Sequence, residues 1–311
     1  MTNNKNHFQN LGYCCINLTI NENLSVKNKI TTNRSMIRKT FLEKGIVGAS
    51  KLALLNVLDL EKILAWNTQN NINIFRISSD MFPWASDYKL ENLPDFDKIL
   101  SSLRRSGEYA TKHNMRLTFH PGPFNKLTSL EERIIKNTSR DLEIHGEIFD
   151  LMGLSRTPWN AINIHVGAHY NDKEKALNAF CKNFNKLNES VKTRLTVEND
   201  DKASLYCTIE LAELNKTIST PIVFDYHHHK FCNQGQTENE ALEMAMSTWP
   251  KNIIPLTHYS ESMCDEGVKC IPQAHSNFIY KKINDYGHNI HLELEAKMKD
   301  LTLLQYRKQW R

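Results

Sequence analysis

The sequence of 311 residues predicts an α/β protein: a TIM (β/α)8 barrel, one domain, with its active site at the C-terminal ends of the strands. Three observations lead there. Short β-like apolar runs alternate with longer amphipathic segments, which argues for a parallel sheet. Eight such runs in about 300 residues favour a closed barrel over an open doubly wound sheet. No GxGxxG follows an early strand, so a dinucleotide-binding fold has no motif behind it.

The first strand is predicted at 11–18, and residues 20–50 form a long connection of the kind that carries function on a barrel. A helix follows over 50–70, where Leu52, Leu55, Leu58, Ile63 and Trp66 recur at helical spacing. The second strand is 71–78 and its helix 95–113. The third strand, 115–119, precedes a helix over 129–152 that Gly153 stops. The fourth and fifth strands are 161–166 and 194–197, with helices over 172–191 and 204–214. The sixth and seventh are 221–224 and 253–257, with helices over 237–247 and 276–284. The eighth is 289–294, and a last helix closes the chain. Residues 1–10 are polar and Asn-rich and read as a flexible tail, leaving 11–311 as the barrel domain.

Composition narrows the class. Hydrophobic residues are 40% and charged residues 24%, which is ordinary globular composition. A formal charge of +4 hints only weakly at a polyanionic partner. Seven cysteines show no CxxC spacing, and with no apolar leader they read as reduced thiols of a soluble intracellular protein. No apolar run approaches the roughly 20 residues that span a bilayer. No protein partner is implied.

The chemistry sits at the predicted strand ends. The third strand ends in His120, the fourth carries His165, the fifth ends in Glu198, the sixth in Asp225 and the eighth in Glu295. The seventh ends in His258. His227, His228 and His229 follow Asp225, and His275 lies in the next loop. Singly, each has a plain reading: His120 a turn residue, His165 a core histidine, Asp225 a helix cap, the carboxylates partners of lysines. Jointly they point to bound cations, because so many charges buried together without counter-ions would be very unfavourable. Imidazoles mixed with carboxylates suit manganese, zinc or iron. Two or three such ions favour phosphodiester hydrolysis, and sugar isomerisation or epimerisation on the same barrel stays open.

In order along the chain, LGYCCINLTI (11–20), TTNRS (31–35), FRISSDMFPWAS (75–86), FHPGP (119–123), NIHVGA (163–168), VENDD (197–201), FDYHHH (224–229), THYS (257–260), IPQAHS (271–276) and LELEAK (292–297) resemble the UV damage endonuclease family. The resemblance covers about residues 11–299. It extends more loosely to endonuclease IV, which shares a barrel and a trinuclear metal site but lacks the first two segments. It implies incision of damaged double-stranded DNA immediately 5′ to cyclobutane pyrimidine dimers and 6-4 photoproducts, with abasic sites as a further class. A catalytically weak damage-binding protein is the alternative within the same resemblance.

The resemblance also implies roles. His120, His165 and Glu198 hold one metal. Glu198, Asp225, His258 and Glu295 hold a second, and His228 with His275 a third. The ions would be Mn2+, two or three in number, with Zn2+, Mg2+ or Co2+ as substitutes. Glu198 and Glu295 act catalytically through metal-bound water. His229 supports the ligands from behind. Tyr13 and Phe124, the latter after Pro123, match residues that probe the lesion. Pro123 departs from the family's Gln-Tyr pair there, and Leu256 stands where some relatives have a lysine serving the third metal. Arg34 and Lys230 are the candidate phosphate contacts. Arg76, inside an apolar strand, is either a buried salt-bridge partner or a residue of the site.

Overall fold

A computed structural model describes residues 10–310. The predicted tail, apart from Asn10, lies outside the described residues. Eight parallel strands close into a barrel in sequence order: β1 Leu11–Cys14, β2 Ile74–Ile77, β3 Arg116–Phe119, β4 Ile162–His165, β5 Leu195–Glu198, β6 Ile222–Asp225, β7 Leu256–Tyr259 and β8 His291–Leu294. Helices Arg38–Gln69, Phe96–Lys112, Glu132–Leu151, Lys173–Phe184, Thr208–Ile218, Glu238–Ser247 and Lys299–Gln309 surround it.

Alternation along each strand divides the interior from the outer core. Phe75, Ile77, Leu117, Phe119, Ile164, Val197 and Phe224 point outward and are buried under the helices. Between them, inward residues build layers. Ile74, Ala161, Val223 and Leu256 pack with Trp249 as an apolar floor. Arg116, fully buried, closes that end by donating to the carbonyls of Trp159 (2.9 Å), Pro158 (3.0 Å) and Ile254 (2.7 Å). Higher up, the interior turns polar. Thr196 donates to Asn163 Oδ1 at 2.9 Å, and Thr118 hydrogen-bonds Glu293. Gly12 allows β1 to close on β2, since a Cβ there would come within 2.6 Å of Ile74.

Several boundaries differ from those predicted. The first strand ends at Cys14, because Cys15 turns to φ 70°. The helix predicted from residue 50 begins at Arg38, with non-helical Gly45 (φ 59°, ψ −157°) marking a kink inside it. The fourth helix is interrupted and resumes as one turn over Glu189–Lys192. Residues 276–284 are not helical. Carboxylates of the preceding loop take that segment's amides instead: Glu266 Oε1 accepts from Asn277 N (2.7 Å) and Phe278 N (3.2 Å), and Glu261 Oε1 from Tyr280 N (3.2 Å) and Lys281 N (2.8 Å). Side-chain acceptors have displaced the helical ladder. Among the described residues no helix is long and apolar enough to cross a membrane.

Candidate metal centre

The strand-end residues converge above the polar layers. Glu198, at the end of β5 and 0% exposed, lies at the middle. Its Oε2 is 2.9 Å from His120 Nε2, 3.2 Å from His258 Nδ1 and 4.0 Å from His165 Nε2; its Oε1 is 3.3 Å from His228 Nδ1. Asn163, two residues before His165 on β4, donates to Oε2 from below. Glu295, just past β8, reaches His258 Nδ1 at 3.3 Å and His275 Nδ1 at 3.8 Å. Asp225 caps the helical turn Tyr226–His229, its Oδ1 accepting from His228 N at 2.8 Å, while its Oδ2 is buried without a hydrogen bond. That cap explains how Asp225 and His228 come to face one side.

Two donor groups are tight enough for one ion each. His120, Glu198, His258 and Glu295 offer atoms all within 4.8 Å of one another, as do His165, Glu198 and His228. Glu198 belongs to both. This partition differs from the one the resemblance implies: His120 sides with His258, and His165 with His228. Asp225 and His275 flank the groups rather than joining either within that distance. The donor set fits divalent cations on its own terms. His258 Nδ1, Glu198 Oε1, Glu295 Oε1, His275 Nδ1 and Asp225 Oδ2 are all buried donors or acceptors without a well-aligned hydrogen bond. His165 Nδ1 is 3.1 Å from Asp200 Oδ1, a carboxylate placed to orient the ring from behind.

The electrostatics agree with that fit. Burial alone would raise Glu198, but His258 and His165 outweigh it and hold the carboxyl well below its ordinary value. Burial would lower His258 and His165; the Glu198 carboxylate instead lifts them to about 10 and about 9. For His120 burial wins and its value falls. The cluster therefore favours positive charge, and a cation entering it would compete with protons for the same nitrogens.

Beneath the cluster lies a charged pair. Arg76 on β2 donates from Nε to Glu293 Oε2 at 2.8 Å, contacts Glu295 Oε1 at 2.6 Å through Nη1, and reaches His258 Nε2 at 2.7 Å through Nη2. Both sequence readings of Arg76 are thus true at once. Glu293 was missed, as were Asn163 and Asp200. The signal for Glu293 was its spacing: it lies two residues before Glu295 and so shares its face of the strand.

Three expectations need correction, those for Tyr13, Arg34 and His229. Tyr13 is 0% exposed; its side chain faces outward under helix Arg38–Gln69, donates to Asn67 Oδ1 at 2.7 Å and accepts from Asn17 Nδ2 at 2.9 Å, so it cannot reach a substrate from this position. Arg34 is committed to its own loop, donating to the carbonyls of Thr31 (2.6 Å) and Lys29 and pairing with Asp59 at 2.5 Å. His229 turns outward onto Phe224, ring centroids 5.3 Å apart, rather than behind the ligands. His227 occupies the inner side instead, its ring 5.6 Å from that of His275 and Nε2 3.2 Å from the Gln273 carbonyl, and burial lowers it to about 4. Leu256 is part of the apolar floor below His258 and offers no ligand. Pro123 is exposed, and so is Phe124, at 66%, so that ring is not part of the core. The ring lies over Gly122, where a Cβ would meet it at 2.4 Å. Lys230 is exposed at the rim.

A closed (β/α)8 barrel with a buried histidine–carboxylate cluster at the C-terminal strand ends defines a TIM barrel whose site is able to hold metal ions. The UV-endonuclease UvdE family profile matches residues 9–310, and the chain belongs to that family. It is 34% identical over 269 residues to the UV DNA damage endonuclease of Bacillus mycoides, covering 82% of this chain and 80% of that protein. It is 32% identical over 305 residues to the UV-damage endonuclease of Schizosaccharomyces pombe, covering 95% of this chain and 49% of the relative, so it spans about half that protein's length. The crystal structure of SacUVDE superposes with a TM-score of 0.82 at 28% identity, over 96% of each chain. A 3-keto-D-glucoside 4-epimerase from E. coli (TM-score 0.52, 9% identity) shares the barrel alone.

Proposed function

We propose that this chain is a DNA repair endonuclease that hydrolyses the phosphodiester immediately 5′ to UV photoproducts, cyclobutane pyrimidine dimers and 6-4 photoproducts, with abasic sites as a further substrate class. The observation that carries this reading is Glu198, one buried carboxylate shared between two donor groups. A carboxylate shared in this way would let the two groups hold a pair of cations, which would supply the charge stabilisation that phosphoryl displacement needs. Mn2+ is the proposed ion, two or three per chain, with Zn2+, Mg2+ or Co2+ as substitutes. When bound, such ions polarise the phosphate and make water nucleophilic near neutral pH.

The chain's own residues do the rest. His120, His258 and Glu295 present donors on one side of Glu198, and His165 and His228 on the other. His275 and Asp225 stand at the edge, where a third ion would sit. Glu198 and Glu295 are the catalytic carboxylates, and His227 lies against the His228–His275 edge. Phe124 projects from the loop after β3 at the mouth of the site, where an exposed ring can stack on or replace bases next to a flipped lesion. Lys230 provides positive charge for a flanking phosphate. The expected setting is inside the cell, where damaged duplex DNA is the partner.

The test is a Mn2+-supplemented nicking assay on end-labelled duplexes, each carrying one dimer, one 6-4 photoproduct or one abasic site. The expected product is a single break 5′ to the lesion with a 3′-hydroxyl and a 5′-phosphate. Glu198→Ala should lose both incision and bound metal. An intact duplex after incubation with metal-loaded wild-type protein overturns the reading, and a Glu198→Ala protein that still cuts at near wild-type rate overturns the role of Glu198.

A further inference from the structure

Away from the histidine cluster, the loop that joins β7 to β8 carries two thiols in contact. Cys264 and Cys270 lie six positions apart, and their sulfurs are 2.6 Å from one another; Cys264 Sγ is also 3.1 Å from the Cys270 carbonyl. The chain between them is a tight turn, with Gly267 at φ 78° and its N–H donating to the Cys264 carbonyl at 3.0 Å. The base of the loop is fixed. Ser262 and His275 form an antiparallel bridge, Met263 N donates to Ala274 O at 2.7 Å, and Ser276 N to Glu261 O at 2.8 Å. Both thiols are half-buried, so solvent reaches them without any unfolding. Cys207 and Cys232 also hydrogen-bond to each other, but both are buried.

We propose that Cys264 and Cys270 are a disulfide-forming pair, a covalent modification site that closes the tip of the loop bearing His275. The oxidant is a low-molecular-weight disulfide such as glutathione disulfide. The Cys264 thiolate attacks one of its sulfurs, forms a mixed disulfide and releases the first small thiol. Cys270 loses its proton to solvent, attacks the Cys264 sulfur and expels the second small thiol. Two protein thiols are oxidised to one disulfide while one small disulfide is reduced to two thiols. The hydrogen bond from Cys270 lowers the Cys264 thiol, whereas Cys270 is raised to about 11, so Cys264 is the thiol that attacks first. The site stands on the loop geometry and does not depend on what the histidine cluster binds.

The test uses the full chain. Trypsin cuts after Lys251, Lys269 and Lys281, so the disulfide would join peptide 252–269 to peptide 270–281. Protein treated with glutathione disulfide is quenched in acid, denatured, alkylated and digested without reduction. The linked peptide pair should appear, both free peptides should be lost, and reduction should restore them. Cys207 and Cys232 should remain alkylated. Recovery of both peptides as separate alkylated or glutathione-capped species overturns the proposal. In Cys264→Ser, which leaves peptide 252–269 without a thiol, the linked pair should be absent and Cys270 should be recovered alkylated or glutathione-capped.

Discussion

The Arg76 guanidinium and the Glu293 carboxylate meet inside the barrel, Nε to Oε2 at 2.8 Å, beneath the cluster of strand-end histidines. Glu293 is fully buried, and Arg76 nearly so. Burial alone would raise the Glu293 carboxyl, but Arg76 and His258 hold it down at about 2. Removing Glu293 takes away one of the two carboxylates that Arg76 contacts in a dry interior and leaves Glu295 as the other, a loss of up to about 3–5 kcal/mol. Glu293→Ala should therefore lower the unfolding free energy by about that amount in urea titrations, whereas the paired apolar replacement Arg76→Met with Glu293→Leu should lose much less. Equal losses in the single and double variants would show that the pair is not what stabilises this layer.

Tyr13 and Phe124 separate by their response. Tyr13→Phe leaves Asn67 Oδ1 and Asn17 Nδ2 without their buried partner, which costs about 1–3 kcal/mol. It should reduce stability and leave binding to irradiated duplex unchanged. A Tyr13→Phe protein of full stability that no longer binds damage refutes the buried role.

Phe124→Ala should do the reverse. Its ring is exposed, so stability and metal content should stay within about 0.5 kcal/mol and one ion of wild type. Affinity for a lesion-bearing duplex should fall by about 1–3 kcal/mol, roughly 5- to 150-fold, measured by titration of a labelled oligonucleotide. Unchanged affinity removes Phe124 from the binding surface.

His291 sets a pH dependence at the opposite end of the barrel. Burial pushes it down to about 3, with the Arg116 charge acting in the same direction. The unfolded chain regains the ordinary value near 6.5 and binds a proton more readily. The contribution is therefore full above pH 6.5 and is lost as pH falls from 6.5 toward 3. At pH 4.5 the loss is about 2–3 kcal/mol. Chemical unfolding of wild type and His291→Gln at pH 7 and pH 4.5 measures it; the wild type should weaken more across that interval. Parallel losses in both proteins would show that His291 is not responsible.

Much of the site was legible because barrel strands display their last inward residue. His120, His165, Glu198, Asp225, His258 and Glu295 could be read from where the apolar runs stop. Tyr13 could not be placed that way. It sits between inward Gly12 and Cys14, so its outward direction follows only once the register with β2 is known. Glu293 was hidden for a related reason: a carboxylate inside a strand looks like a solvent-facing residue until the closed barrel shows that neither face is solvent. The missing helix over 276–284 has the apolar pattern of a helix, and what decides against it is two carboxylates from a loop more than ten residues earlier. Arg34 is misread by sequence for want of a long-range contact, with Asp59, and His229 because the short turn capped by Asp225 folds it back onto Phe224.

The layering of the barrel interior has a consequence for how the chain tolerates change. A substitution among Ile74, Ala161, Val223 and Leu256 alters volume, and neighbouring hydrocarbon can relax toward it. One storey higher, replacement of Arg76, Glu293 or Glu198 alters a charge balance, and no rearrangement of neighbours supplies a missing counter-charge. The same eight strands thus contain a plastic half and a brittle half, separated by a few ångströms along the barrel axis.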